Sequence, residues 1–477
     1  MQLPKIIQGG MGVAISNWRL ARAVAEMGHL GVVSGTAIDT VHARILQDGD
    51  EGGLLRNVYK TFPFPDVVQR VLERWFSPGG RAEGAPYKNI PLAGEKPNRA
   101  LFDLTILSSY AEVALARAGN IKARIGINLL DKVRMPQLPS LYGAMLAGVD
   151  YVLMGAGIPR HVPGVLDRFA DGLPASVKYE VAGEADSELA FDPACVADGF
   201  ARKLARPKFL AIISSATLAL SLAKKSSGKV DGFVVETSIA GGHNAPPRGL
   251  LQLDASGQPV YGPRDEPELN KIAALGLPFW MAGGFATPEG LASATASGAA
   301  GIQVGTPFAF CNESGMIASL KNRIIALARE KLARVFTDPH ASPTGFPFKI
   351  VEAEGTLSDA ALYGQRERVC DIGLLRTAHR KPDGGIGFRC AAESIAAYVA
   401  KGGALAETCK RMCLCNGLLA SAGLGQNRGG LVETMVATAG DSLADIVRYI
   451  KEGADNYSAR DVIEAILGPL APECGAA

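Results

Sequence analysis

The chain has few of the features that would commit it to a membrane, a nucleic acid or an oxidising compartment. Aromatic residues make up 6% and charged residues 20% of its 477 positions, and 49 basic against 47 acidic residues leave a net charge of +2. With no long basic run and few aromatics, nothing suggests a nucleic-acid footprint, and small molecules are the expected partners. Eight cysteines in so long a chain are too sparse for a disulfide scaffold. The opening Pro4-Lys5-Ile6-Ile7-Gln8-Gly9-Gly10 lacks the apolar stretch of a secretory signal, so the cytoplasm with reduced thiols is expected. Residues 209–223 carry no charge, yet they include four Ser or Thr and fall short of a membrane-spanning length.

What is present is a large apolar fraction, 48%, in a repeating order. Short apolar runs alternate with helical periods, which argues for βα units and a parallel sheet. Lys5 to Gln8 reads as the first strand, Ser16 or Asn17 as a helix N-cap, and Trp18 to Met27 as a helix closed by Gly28. Further strands are expected at Leu30–Val33, Ala123–Leu129, Tyr151–Met154, Phe209–Ile213, Phe233–Glu236, Phe279–Ala282 and Gly301–Val304. Eight strands with helices or loops between them match a (β/α)8 TIM barrel, an α/β fold whose chemistry gathers at the C-terminal strand ends.

The densest stretch is Phe233-Val234-Val235-Glu236-Thr237-Ser238-Ile239-Ala240-Gly241-Gly242-His243-Asn244. A buried strand ends in a carboxylate, and a turn of small residues then delivers a histidine. Paired glycines let a backbone approach a flat or phosphorylated ligand closely. An ordinary loop with a solvated histidine has the same pattern. Asn128, at another strand end, serves either a ligand or a structural hydrogen bond. Gly283-Gly284 and Gly305-Thr306 follow strands seven and eight, where barrels commonly hold a phosphate on glycine amides. Two tight turns without a ligand are the alternative.

Residues of about 48–120 break the rhythm and read as an insertion after strand two, either a lid or a contact in a homodimer. Residues 175–191 suggest an extra hairpin, and residues 245–268, with five prolines and three glycines, a long loop beside the histidine. A mainly helical extension packed on the barrel is expected for 346–477, with helical periods at Ala391–Val399, Leu405–Cys413, Ser442–Ile450 and Ala459–Leu467. Cys409 and Cys413 then share a helix face near Cys415, with Cys370 and Cys390 upstream. The set lacks paired CxxC spacing, so buried thiols suit it better than a zinc or iron–sulfur site, and no metal is expected.

Five blocks, Ile7-Gln8-Gly9-Gly10-Met11-Gly12, Gly126-Ile127-Asn128, Glu236 through His243, Ala282-Gly283-Gly284 and Gln303-Val304-Gly305-Thr306-Pro307-Phe308, occur in one order over about residues 1–340. In this the chain resembles the nitronate monooxygenase family, formerly the 2-nitropropane dioxygenases, close kin of the flavin-dependent enoyl-acyl carrier protein reductases. The resemblance implies a TIM-barrel flavoprotein, residues 1–345, with non-covalent FMN. It puts the phosphate on Gly283, Gly284, Gly305 and Thr306 and the flavin ring near Gly10, Met11 and Asn128. Glu236 and the backbone of Ala240, Gly241 and Gly242 complete that pocket, with His243 over the reactive face. An imidazole titrating near neutrality would serve there as a base or hold an anionic nitronate.

The activity implied is oxidation of alkyl nitronates by O2 to carbonyl compound and nitrite. The alternative is an enoyl-thioester reductase fed by NAD(P)H, for a fatty acid or polyketide pathway. A third reading, a non-catalytic flavin or phosphometabolite binder, would not require His243. The chain departs from the family in following His243 with Asn244-Ala245-Pro246-Pro247-Arg248, and in the extra length at 48–120 and after about 345. Arg248 is either a surface cation or a contact for an anionic substrate.

Overall fold

A computed structural model describes residues 3–120, 122–196 and 203–468. Eight parallel strands close a barrel: β1 (Ile6–Gln8), β2 (Leu30–Ser34), β3 (Arg124–Leu130), β4 (Tyr151–Gly155), β5 (Lys208–Ile213), β6 (Gly232–Glu236), β7 (Phe279–Ala282) and β8 (Gly301–Val304). Closure is made by β1 against β8, with Ile6 opposite Ile302 and Gln8 opposite Val304. The expected (β/α)8 barrel is therefore the fold. Its strands are apolar throughout because both faces are covered, the inner by its own side chains and the outer by helices.

Alternation along the strands decides what faces the barrel axis. Ile7, Leu30, Val32, Leu153, Leu210, Val234 and Trp280 form one buried cluster inside it. Two residues further along, the same inward row reaches Glu236, which pairs with Ala282, and Gln303, also paired with Ala282. Asn128, two beyond Gly126 on β3, belongs to that row as well. The inward row thus turns from hydrocarbon to polar groups at the C-terminal end of the barrel.

Trp18–Glu26 forms the first helix, and Asn17 caps it by accepting from the Leu20 N–H at 3.0 Å. Between β2 and β3, helices span Ile38–Gln47, Leu54–Tyr59, Pro65–Trp75 and Arg99–Arg117. The last packs on both Trp18–Glu26 and Gln137–Leu146, so it fills the place of a barrel helix. Its first turns, Arg99 to Ser109, mix buried polar and apolar residues without a clear period. The hairpin is present, Ala175–Tyr179 against Ser187–Phe191.

Beyond the barrel the chain is mixed. Ala459–Leu467 is helical as expected, with Ser458 and Asp461 forming a capping box. Elsewhere the helical periods give less helix than they suggest: Ile395–Ala400 is short, and Leu405–Thr408 and Asp441–Tyr449 are 3-10 turns. Gly402 and Lys410, both at positive φ, interrupt the first two. Strands Phe348–Val351, Thr377–Arg380 and Ile386–Arg389 are added. Cys409 and Cys413 consequently do not share a helix: Cys409 ends one turn in extended conformation and Cys413 precedes helix Leu414–Ser421. Among the described residues no group of three or more His, Cys, Asp or Glu could hold a metal ion, and no helix is long and apolar enough to cross a membrane.

Candidate active site

A cavity of about 230 Å³ opens at the C-terminal ends of the strands, and Gly10, Met11, Asn128, Glu236, Ala240, Gly241, Gly242, His243, Gly283, Gly284, Gly305 and Thr306 all line it. The barrel register brings them together from positions almost 300 residues apart. Each turn has its own support. After β1, the Met11 N–H donates to Ser16 Oγ at 2.8 Å, and that hydroxyl donates to the Gly9 carbonyl at 2.8 Å. Buried Gln8 donates to the same Ser16 oxygen at 2.8 Å and accepts from the Val32 N–H at 2.9 Å, tying the turn to β2. After β7, Gly283 and Gly284 have φ of +90° and +82°, which a side chain would strain.

The fit to a flat, phosphorylated cofactor rests on two observations. A Cβ on Gly10 would lie 2.1 Å from Asn128 Cβ, so the turn already touches the β3 wall and no side chain intrudes there. Second, polar groups face the cavity without partners. The Gln303 Oε1 is buried and unpaired, and the Asn128 amide forms no hydrogen bond among the described residues. Buried amides are seldom left so unless a ligand completes them. Asn128 thus has no structural bond to make. The sequence argument did not single out Gln303; its signal was an amide inside the apolar run of β8.

The histidine loop is held from outside the barrel. His243 pairs in a β-bridge with Phe348, its ring lies edge-on to Phe348 at 4.9 Å between centroids, and its Nε2 is 2.7 Å from Ser342 Oγ. The Gly242 N–H donates to Thr438 Oγ1 at 3.0 Å, and the Lys349 N–H donates to the Gly242 carbonyl at 3.0 Å. Gly440 N–H reaches Thr306 Oγ1 at 2.8 Å and Asp441 N–H the Ile239 carbonyl at 3.0 Å. Residues 436–440 therefore stitch the loop after β6 to the loop after β8 and form a wall of the cavity. Nothing in their sequence announces this, since they form no regular element and act through backbone groups and the single hydroxyl of Thr438.

A second cavity of about 220 Å³ adjoins the first and shares Glu236 and His243 with it. Arg248, Tyr261, Asp265 and Phe346 line its other side. Arg248 is placed by its backbone, whose N–H donates to Asp265 Oδ1 at 2.7 Å, while its guanidinium reaches the Ser214 carbonyl at 3.2 Å. Burial acts on both shared groups in the direction of neutrality. The Glu236 carboxyl is raised to about 7 and the His243 imidazole is lowered to about 4, in each case by desolvation. Desolvation thus moves the His243 imidazole below the near-neutral titration expected from the sequence and favours its uncharged form.

Comparison with known proteins bears on this constellation. Residues 197–339 match the nitronate monooxygenase family model. That span holds Glu236, His243, Gly283, Gly284, Gly305 and Thr306, but not Gly10 or Asn128. The nitronate monooxygenase resemblance is thereby confirmed for the barrel's second half, and it supports an oxidoreductase of the flavin-dependent kind. A carboxyl-CoA dehydrogenase of Mycobacterium tuberculosis (strain ATCC 25618 / H37Rv), acting by its name on (3aS,4S,5R,7aS)-5-hydroxy-7a-methyl-1-oxo-octahydro-1H-indene-4-carboxyl-CoA, is 30% identical over 114 residues. The match spans 24% of this chain and 29% of that protein. Among solved structures, FabK from Thermotoga maritima is 16% identical with a TM-score of 0.45, over 97% of this chain and 91% of that one. Nitroalkane oxidase from Streptomyces ansochromogenes is also 16% identical, with a TM-score of 0.47, over 97% and 94%.

Proposed function

We propose that the protein is an FMN-dependent oxidoreductase that oxidises alkyl nitronates with O2 to a carbonyl compound and nitrite. The observation that carries this reading is the convergence of glycine turns, unpaired amides and His243 on one cavity, with a side cavity sharing the histidine. In it, the backbone at Gly283, Gly284, Gly305 and Thr306 receives the FMN phosphate, and Gly10, Met11, Asn128 and Gln303 bound the ring. FMN, when bound, supplies the electron transfer and the reaction with oxygen. The chain's own residues bind and position. Neutral His243, fixed by Ser342 and Phe348, orients a nitro oxygen by a hydrogen bond, and the stitched wall at 436–440 keeps water out.

A second reading is an NAD(P)H-dependent enoyl-thioester reductase. It draws on the partial match to a protein named for a CoA thioester and on Arg248 beside the side cavity, where an anionic thioester arm would pass. The test is to purify the protein with its flavin and mix it anaerobically with ethyl nitronate, NADPH or NADH in separate cuvettes. Bleaching of the flavin absorbance by nitronate but by neither nicotinamide is expected. Bleaching by a nicotinamide alone would select the reductase, and a protein that takes up no FMN would reject both.

A further inference from the structure

Four cysteines gather in the chain beyond the barrel, away from the glycine turns. Cys390, Cys413 and Cys415 are buried in one apolar cluster, and half-buried Cys370 packs against it. None of the four lines either cavity, so the flavin reading gives them no part. Two of them have donors of their own. The Leu374 and Leu375 N–H groups donate to the Cys415 sulfur, and Asn416 Nδ2 donates to that of Cys413 at 3.4 Å. Cys370 and Cys390 meet each other. Their side chains hydrogen-bond, and this contact, more than burial, raises the Cys370 thiol above the ordinary thiol range.

What brings the pair together does not depend on the sulfurs. Arg368, two residues before Cys370, donates from Nε to the Glu393 carbonyl and from Nη1 to the Thr408 carbonyl, both at 3.0 Å, and from Nη2 to the Ala391 carbonyl. The Glu393 N–H closes the intervening turn on the Cys390 carbonyl at 2.9 Å. One guanidinium thus fixes the chain entering Cys370 against the chain leaving Cys390. On the far side of Cys370, the Asp371 carboxylate accepts from Asn416 Nδ2 at 2.7 Å and from Arg428 at 2.5 Å. The loop between the two cysteines holds the antiparallel strands Thr377–Arg380 and Ile386–Arg389, so a bond between the sulfurs would close that hairpin at its base. Cysteines already held in contact by other bonds can be joined with little backbone movement.

We propose that Cys370 and Cys390 are a modification site, a dithiol that a small-molecule disulfide such as oxidised glutathione converts to an intramolecular disulfide. Half-buried Cys370 reacts first: it gives up its proton, its sulfur bonds to one sulfur of the reagent, and the other leaves as a thiol. Buried Cys390 then gives up its proton, its sulfur displaces the attached glutathione from Cys370, and a second thiol departs. The protein loses two S–H bonds and gains one S–S bond. The reagent takes up the two electrons and the two protons. The retained proton on Cys370 makes the first attack slow, whereas the balance between dithiol and disulfide depends on how closely the fold holds the two sulfurs.

The test uses the purified full chain with its flavin, held native with a large excess of oxidised over reduced glutathione. Free thiols are then blocked with iodoacetamide before unfolding, and the protein is digested with trypsin. Cleavage after Arg368, Arg376, Arg389 and Lys401 puts the two cysteines on separate peptides, Val369–Arg376 and Cys390–Lys401. Mass spectrometry should find these joined, two hydrogens lighter than their sum, and dithiothreitol should part them. The oxidised protein should melt roughly 3–10 °C above the reduced one, because closing the loop restricts the unfolded chain. Cys370→Ser should lose both the link and the shift, and Cys409→Ser, at an exposed thiol outside the pair, should keep both. The peptide map is read on wild-type protein and so does not depend on how a variant folds. A Cys370 that retains glutathione, links to another cysteine or is recovered alkylated overturns the proposal. So does a link that forms only after unfolding, since the native fold then holds the two sulfurs apart.

Discussion

Gly10→Ala tests the geometry of the cavity most directly. The added Cβ would lie 2.1 Å from Asn128 Cβ and 3.0 Å from both Asn128 Cγ and Val32 Cγ1. Rotation of Asn128 gives no relief, because its Cβ is fixed by a strand paired on both sides, with Ser34 and with Leu153. The turn after β1 must instead retreat by roughly 1.5 Å before van der Waals contact is restored. Its bonds to Ser16 resist that movement. Overpacking of this kind costs about 1–3 kcal/mol, and at ~2–4 °C per kcal/mol the melting temperature should fall by roughly 2–12 °C. The displaced turn also moves into the cavity, so the flavin-to-protein absorbance ratio should drop. Asn128→Gly in the same chain removes both Asn128 atoms in the clash. By itself it costs about 0.5–1 kcal/mol in a strand, but with Gly10→Ala it should show a coupling of at least ~1 kcal/mol in a double-mutant cycle by calorimetry. Additive losses, or a Gly10→Ala protein that melts and binds flavin like the wild type, would refute the close approach of β1 and β3.

Four further outcomes are expected. Gly305→Val should purify folded but without flavin, because a Cβ there meets only Met11 Sδ at 3.9 Å and projects into the cavity; full flavin content in the purified variant would contradict the phosphate placement. His243→Ala should keep flavin and lose turnover of ethyl nitronate by about 10–10³-fold through lost orientation, with steady-state kinetics as the check. Thr438→Val removes the acceptor of the Gly242 N–H and should cost about 1–3 kcal/mol in denaturant unfolding, together with turnover, if the C-terminal segment holds the histidine loop. For pH, Glu236, raised from 4.5 to about 7, lends stability below pH 4.5 that is lost as pH rises to about 7, whereas His243, lowered from 6.5 to about 4, loses stability as pH falls from 6.5 to about 4. The two slopes oppose each other between about pH 4.5 and 6.5, so Glu236→Gln should make unfolding free energy climb more steeply there, by up to about 3 kcal/mol; an unchanged slope in urea titrations would count against the Glu236 shift.

The barrel was legible because a parallel sheet needs apolar strands of four to seven residues at regular intervals, and those are visible without contacts. Each strand end that carries a glycine turn was visible for the same reason, and the residues placed there do line one cavity. What the sequence hid is of another kind. Gln303 looks like an isolated polar residue until the register puts it beside Ala282 and Glu236. Arg99–Arg117 buries Asp103, Ser108 and Glu112 as well as leucines, so its apolar stripe is blurred. The stretch 436–440 has no periodicity to read, and its contribution is the hydrogen bonds that the Gly440 N–H and the Thr438 hydroxyl make with turns more than 100 residues upstream. Cys409 and Cys413 had the spacing of one helix face, but Lys410 at φ 55° breaks the helix between them.

That hidden wall explains why the histidine differs from its expected state. Ser342, Phe348 and Thr438, all downstream of the barrel strands, cover the His243 loop, while Glu236 is desolvated at the end of β6. One cause shifts the two groups in opposite directions, because desolvation penalises whichever form is charged. Near neutrality the enclosed surface therefore offers neutral donors and acceptors, Asn128, Gln303, His243 and backbone amides, with Glu236 the group poised to change charge. Among the described residues lining the two cavities, Arg248 is the one cation, and it stands on the far side of the side cavity from the glycine turns.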